Sequence, residues 1–163
     1  MRLYVLVFIA LLFFGGPSES AAQYGNFTDL NETTVVVAKL ENAAKELGLD
    51  EREIEEHLLE LLRNKLPNVL LRESADSSVW VLVNVARSTA YQGYPLGYFG
   101  SVSVGVRRKV MIMNTGKMTS AYLWYDTHAI KGATADLNEH VRNVLDQLVT
   151  SFAAAWDQDN LRK

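Results

Sequence analysis

The sequence predicts an α+β domain with a single mixed, mainly antiparallel sheet and two long helices packed on one face of that sheet. The central observation is the stretch 98–127, where two runs with strand alternation fold back about Asn114-Thr115-Gly116. Two segments with apolar residues at helical spacing lie before and after it. At 163 residues and 48% hydrophobic content, the chain can bury one ordinary core. The expected element order is β-α-β-β-β-β-α.

The N-terminus predicts a secretory signal peptide at residues 1–21. Arg2 supplies a positive start, residues 3–14 are apolar, and small residues follow, so cleavage is expected after Ser20 or Ala22. The alternative is an uncleaved anchor, although the apolar run is shorter than the ~20 residues that span a bilayer. Residues 22–32 are then a flexible lead-in, 33–157 the single domain and 158–163 a polar tail. The expected location is periplasmic or extracellular, with no stable membrane span after cleavage.

The chain contains no cysteine, and its formal net charge is −3. A disulfide-free exported domain depends on its core, and a bacterial lipoprotein is excluded because it would need a cysteine to carry the lipid. A negative net charge offers no basic footprint, so nucleic acid is not an expected partner.

The first half of the domain predicts strands around one helix. Residues 33–40 are β-branched and nearly continuously apolar, as in a strand buried on both faces. A short helical turn at 41–48 leads to a helix at 51–65, which begins with the capping pair Asp50 and Glu53 and ends before Pro67. An edge strand at 68–71 and a strongly alternating strand at 79–87 follow.

The second half predicts the hairpin and a closing helix. Arg108 interrupts the alternation of the first hairpin strand, which marks a bulge or the end of its core contact, with a solvated edge around it. The return strand, 119–127, is bulky on both faces, which predicts a central position. A turn is expected at 126–134. The pair Asp136 and Glu139 then starts a long amphipathic helix.

Residues 88–100 form the only aromatic and glycine-rich connection. Tyrosines among glycines give amphipathic contact area on an adaptable backbone, as recognition surfaces do. The alternative is that these rings fold over one open end of the core. The candidate binding residues are Tyr91, Tyr94, Tyr98 and Phe99.

No sequence motif identifies a reaction. The chain has no glycine-rich phosphate loop, Gly-x-Ser-x-Gly elbow or His-Glu-x-x-His, and thiol chemistry is impossible without cysteine. The first long helix carries Glu53, Glu56, His57 and Glu60 at helical spacing, but a zinc-protease pattern needs a second histidine, so a solvated face is expected. We expect no metal and no cofactor.

The element order resembles the small α/β domains of bacterial envelope accessory proteins, such as the N-terminal domain of TolB and PelC-like proteins. The segments 47–49, 81–85 and 101–104 and the closing helix with Phe152 and Trp156 resemble a family of uncharacterised secreted bacterial proteins. That resemblance implies no catalytic residues. PelC-like proteins are typically lipid-anchored through cysteine, which this chain lacks.

Two functions follow as alternatives. The first is a non-catalytic secreted or periplasmic accessory protein that binds another envelope or secreted protein through the aromatic residues of 88–100. The second is a hydrolase with a dispersed site, in which His128 is oriented by Asp126 and a serine such as Ser88 is the nucleophile. The specific partner and the oligomeric state are not indicated by the sequence.

Overall fold

The computed structural model describes residues 27–37, 40–89 and 95–160. Its element order is β1 (Glu32–Val37), α1 (Asn42–Glu46), α2 (Glu51–Lys65), β2 (Leu70–Leu71), β3 (Ser77–Thr89), β4 (Pro95–Ile112), β5 (Lys117–Gly132) and α3 (Leu137–Asn160), with a 3-10 turn at Thr134–Asp136. The predicted signal peptide lies outside the described residues.

The five strands form one sheet in the order β2-β1-β3-β4-β5. β1 pairs in parallel with both β2 and β3, whereas β3, β4 and β5 pair antiparallel over long registers. The predicted α+β fold with a mixed, mainly antiparallel sheet is confirmed. The return strand β5 lies at the sheet edge, so its predicted central position is wrong.

The core lies between one face of the sheet and the helices. The alternation predicted for β3 is confirmed, since its odd-numbered valines are buried and the intervening residues are not. The helices contribute leucines, valines and Phe152 to the same cluster. Because α1, α2 and α3 cover only one face, β1 is not buried on both faces as expected, and Val36 is exposed on the other side.

Helix α2 begins as predicted. The Asp50 carboxylate accepts hydrogen bonds from the backbone N–H of Arg52, at 2.8 Å, and of Glu53, at 3.2 Å. Two ion pairs join its polar edge to α3: Arg142 contacts Glu53 at 3.2 Å and Lys65 contacts Asp146 at 3.9 Å. The two long helices therefore pack side by side on the sheet.

The segment 88–100 is mostly strand rather than the expected loop. β3 continues to Thr89 and β4 begins at Pro95. The glycines serve close strand contact: a Cβ on Gly97 would lie 2.1 Å from the Gly132 carbonyl oxygen, and one on Gly100 would lie 2.0 Å from that of Asn84. Likewise, the turn expected at 126–134 begins only after Gly132, where β5 ends.

The packed chain extends beyond the predicted domain at both ends. Phe27 and Leu30, placed in the flexible lead-in, are buried in the core. Helix α3 continues to Asn160, into the predicted polar tail. Asp159 accepts a hydrogen bond from the Phe27 N–H at 3.0 Å, and the Trp156 indole donates to the Leu30 carbonyl at 3.2 Å. The end of α3 thereby holds the start of the described chain.

Candidate functional site

The face of the sheet opposite the helices, called here the open face, carries a cluster of three aromatic rings. Trp80 of β3 stacks on Tyr125 of β5, with ring centroids 5.6 Å apart and an 18° interplanar angle. Tyr122 meets both rings edge-on, at 5.9 Å from Trp80 and 6.4 Å from Tyr125. Tyr122 is 59% exposed. This aromatic cluster is therefore available to a partner.

A glycine and a bulge bring these rings together. Trp80 and Tyr125 both pair with Gly105 of β4, from opposite sides. A Cβ on Gly105 would lie 2.6 Å from the Trp80 ring, so only glycine leaves room for the ring to lie across β4. The stacked rings of Trp80 and Tyr125 thus fill the space over Gly105, where β4 has no side chain.

The bulge in β5 shifts the alternation of its side chains. Trp124 pairs with Val106, but the next pair is Tyr122 with Arg107, which leaves Leu123 as an extra residue. As a result Tyr122 and Tyr125, three residues apart, reach the same open face while Trp124 enters the core. The bulge expected near Arg108 is present one residue earlier, and its extra residue lies in the return strand.

Polar groups surround the aromatic cluster. The Arg107 guanidinium lies 5.9 Å from the centre of the Trp80 ring, a cation–π distance. The hydroxyls of Ser103 and Thr127 are 2.8 Å apart, and the Tyr125 hydroxyl donates to Ser103 Oγ at 3.4 Å. The Trp80 indole N–H has no hydrogen-bond partner among the described residues, so stacking is what holds this ring in place.

Across β3, β4 and β5, the open face has a positive charge bias. By register and alternation, the side chains that β3, β4 and β5 place on this face include Arg107, Lys109 and Lys131 and no acidic residue. Lys109 also contacts Asp76, just before β3, at 3.5 Å. An acidic surface with apolar groups would therefore complement this face.

The four predicted binding residues do not form one surface in the described chain. Tyr91 and Tyr94 lie outside the described residues. Tyr98 and Phe99 are consecutive in β4 and point to opposite faces: Tyr98 is 2% exposed, and Phe99 is 56% exposed on the open face. A binding role for Tyr91, Tyr94, Tyr98 and Phe99 stays a prediction.

Tyr98 closes one end of the core beside the start of α3. Its hydroxyl is hydrogen-bonded to His140 Nδ1 at 2.7 Å. Burial raises the pKa of Tyr98 above its ordinary value of 10.0, and the negative charge of Asp136 adds to the increase. Next to this pair is an open cleft of about 290 Å³, lined also by Lys131, Glu139 and Asn143. The tyrosine is therefore protonated at neutral pH, and it lies at the edge of this cleft.

The residues of the hydrolase alternative are not assembled. His128 Nε2 lies 4.0 Å from Asp126 Oδ2, on the helix-covered side of β5. Val83 of β3 and His128 of β5 both pair with Val102 of β4, so they lie at the same level of the sheet. Ser88 lies five residues beyond Val83, and Ser88 and His128 are therefore about 17 Å apart along the strand direction. In this structure Ser88 is not positioned as the nucleophile of that pair.

Helix α2 carries the four potential metal ligands Glu53, Glu56, His57 and Glu60. Within the described ranges, no three His, Asp or Glu side chains lie close enough together to hold a metal ion. His57 Nε2 is buried and has no hydrogen-bond partner among the described residues.

None of the described helices combines the length and the hydrophobicity that a membrane crossing requires, and this finding does not extend to residues 1–26.

The aromatic cluster is not among the sites predicted from the sequence, although the sequence contains three signals for it. Trp80 and Leu82 are bulky residues on the side of β3 away from the core, Gly105 interrupts a strand, and two tyrosines flank Trp124. A strand glycine often marks the close approach of another group. The position of the bulge, which decides which tyrosines share a face, is not visible in the sequence.

The sequence matches no protein-family model, and no curated protein is significantly similar to it. Several solved structures are similar at low identity. The PelC dodecamer from Paraburkholderia phytofirmans is 15% identical, with 74% of this chain and 86% of that chain covered and a TM-score of 0.43. The hypothetical protein CT253 from Chlamydia trachomatis is 11% identical, with 77% and 96% covered and a TM-score of 0.45. A minor lipoprotein from Acinetobacter baumannii is 12% identical, with 77% and 91% covered and a TM-score of 0.34. The chain is thus weakly similar to PelC, as its element order indicated, and to bacterial lipoproteins.

Proposed function

We propose that the chain is an exported, non-catalytic accessory protein that binds another protein through the open face of its sheet. The observation that carries this proposal is the cluster that half-buried Trp80 forms with the exposed rings of Tyr122 and Tyr125, beside Arg107. Tryptophan, tyrosine and arginine are the residues most enriched at energetic hot spots of protein interfaces. The partner expected from the charge of this face is a protein of the envelope or the exterior with an acidic and apolar surface.

The geometry favours a protein partner because the rings are held in place before binding. They stack on each other across Gly105, and the hydroxyls of Ser103, Thr127 and Tyr125 form a connected polar rim. Preformed aromatic side chains lose little conformational entropy on binding, and a polar rim surrounds the apolar centre of typical interfaces. The signal peptide predicted at residues 1–21 supports an exported location.

The test is to capture partners from envelope extract with the exported protein, and then to measure the affinity of each purified partner for three variants. Tyr122→Ala removes an exposed ring of the cluster, whereas Gly105→Ala keeps all three rings and displaces Trp80. Each should weaken binding of an open-face partner by about 2 kcal/mol or more, roughly thirtyfold.

The matched control is Phe99→Ala, which removes an equally exposed ring on the same face but outside the cluster. It should change the affinity by less than about 1 kcal/mol, as most interface substitutions do. Equal affinities of all three variants and the wild type would remove the aromatic cluster from the proposal. A selective loss with Phe99→Ala, or with alanine at Tyr91 and Tyr94, would instead assign binding to the end of β4 and the segment before it.

A further inference from the structure

The β4–β5 hairpin extends well beyond the rest of the sheet. β3 begins at Ser77, opposite Arg108, so the pairs from Lys109 with Ser120 to Ile112 with Lys117 have no third strand beside them. Four residue pairs at this spacing project about 14 Å. The segment 109–120 is called here the hairpin tip. Its residues from 111 to 120 are all exposed.

The hairpin tip carries apolar side chains on both of its faces, next to Lys109 and Ser120 on one face and to Lys117 and Thr119 on the other. Met111 and Met118 pair across the strands on one face, and Val110 and Ile112 lie on the other. Met113, in the turn at the end, is 88% exposed. Apart from Met1, every methionine of the chain is in this tip. Neither face of the tip contributes to the buried core.

Because the hairpin tip has apolar side chains on both faces, insertion into an apolar medium would bury more of them than docking on a flat surface. A partner protein that covers one face of a hairpin leaves the other face in water, whereas a lipid surface takes up both faces at once. Unbranched methionine side chains are flexible and polarizable, and they adapt to irregular apolar surroundings. The tip also contains no acidic residue.

Basic residues flank the apolar side chains of the tip on both faces. Lys109 lies on the face of Met111, while Arg108 and Lys117 lie on the face of Ile112, with Lys117 opposite Ile112 in the outermost strand pair. Among the described residues, Asp76, which contacts Lys109, is the one acidic partner of these three cations. The chain as a whole has a net charge of −3, so this local cluster of cations runs against the overall composition. Such a cluster is attracted to anionic lipid headgroups.

From this geometry we propose that the hairpin tip inserts into the surface of an anionic lipid bilayer, with Met113 entering first. The lysines and arginine remain at the headgroups, since their long side chains reach the polar interface while the methionines enter the acyl region. This site is separate from the aromatic cluster, and it would position the open face near a membrane. The proposal therefore goes beyond the proposed function and does not rest on it.

The test uses the absence of cysteine. A single thiol in the Met113→Cys variant of the full chain carries a polarity-sensitive fluorophore at the tip, and a Thr150→Cys variant carries it on the exposed side of α3 as the control. Both are mixed with vesicles of phosphatidylcholine alone or mixed with phosphatidylglycerol. We expect a blue shift only at position 113 and only with phosphatidylglycerol present.

A second variant separates charge from hydrophobicity. Lys109→Glu with Lys117→Glu, in the labelled Met113→Cys chain, should weaken vesicle binding by about thirtyfold or more, and high salt should have a similar effect. Both lysines are exposed, so an unchanged circular dichroism spectrum shows that the fold is retained. No shift at position 113, or an equal shift on phosphatidylcholine alone, contradicts the proposal. A shift that needs no lipid and follows protein concentration would assign the tip to a second copy of the chain and overturn it.

Discussion

Single residues decide what the open face presents. Gly105 has no side chain, and therefore the Trp80 ring lies across β4 and reaches Tyr125 on the far strand. With any larger residue, the ring would have to leave the sheet surface and the stack would open. The aromatic cluster thus depends on a residue that contributes no contact area of its own.

Tyr98 provides a prediction at the same scale. Tyr98→Phe removes the hydrogen bond to His140 without changing the ring, so it should lower the free energy of unfolding by about 1 kcal/mol near neutral pH. Urea unfolding of the wild type and the variant measures this difference. Tyr122→Phe is the control, since Tyr122 is exposed and its hydroxyl makes no hydrogen bond to the described part of the chain; this variant should unfold like the wild type.

The pH dependence of this difference follows from the raised pKa of Tyr98. Below 10.0 the hydroxyl is protonated in both the folded and the unfolded chain, and its contribution to stability is fully present. As the pH rises above 10.0, the unfolded chain loses this proton first, which favours unfolding. The wild type should therefore lose more stability than Tyr98→Phe in this range. Parallel pH profiles of the two proteins would contradict the prediction.

At the scale of elements, the bulge in β5 separates what the sequence predicts from what the structure shows. Strict alternation places Tyr122 with Trp124 on one face and Tyr125 with Leu123 on the other. Because Leu123 is an extra residue, Tyr122 instead lies on the same face as Tyr125, opposite Trp124. The bulky residues of that face form the aromatic cluster and do not contact a further strand of the described chain. Bulk on both faces therefore does not establish that a strand is central.

The elements with strong periodicity were predictable from the sequence. The capping residue Asp50, the alternating valines of β3 and the turn ending at Gly116, with φ of 65°, lie where the pattern indicates. These features depend on local physical chemistry. The glycines of 97–105 were not predictable in the same way, because a glycine in the sequence is equally consistent with a turn and with a close contact between strands. The candidate site depends on such long-range contacts.

Helix α3 gives the prediction that belongs to this scale. Phe152 is fully buried, with its ring centroid 5.5 Å from both Phe27 and Trp124. Phe152→Ala should lower the free energy of unfolding by about 3 to 5 kcal/mol, because it leaves a cavity between the helix and the sheet. Chemical denaturation measures the loss. The control Gln147→Ala lies on the exposed side of α3 and should change stability by less than about 0.5 kcal/mol.

A loss below ~1 kcal/mol for Phe152→Ala would mean that the helix does not dock firmly on its own sheet. We would then infer that α3 docks on a partner rather than on its own sheet. The edge-on contact with Phe27 makes this variant informative for the N-terminal segment as well, since both rings belong to one cluster.

For the whole molecule, the two ends of the described chain are joined. Asp159 and Asn160 bind the backbone of Phe27, and Trp156 binds that of Leu30. These contacts hold residues 27–30 against the end of α3. Cleavage after Ser20 or Ala22 falls before this point and leaves every one of these hydrogen bonds intact.

The last prediction is therefore export with cleavage near Ala21 to Gln23, after Ser20 or Ala22, without loss of stability. Intact-mass measurement of the protein from its producing cell should give a chain without residues 1–20 or 1–22, and its unfolding midpoint should match that of the uncleaved chain. The control Leu11→Arg interrupts the apolar run and should leave the uncleaved chain inside the cell. A mass that includes Met1, recovered from a membrane fraction, would establish the anchor instead, because the apolar run would then have been retained in the bilayer. Insertion of the hairpin tip would in that case act as a second contact of an already attached protein, since two weak membrane signals together give stable attachment.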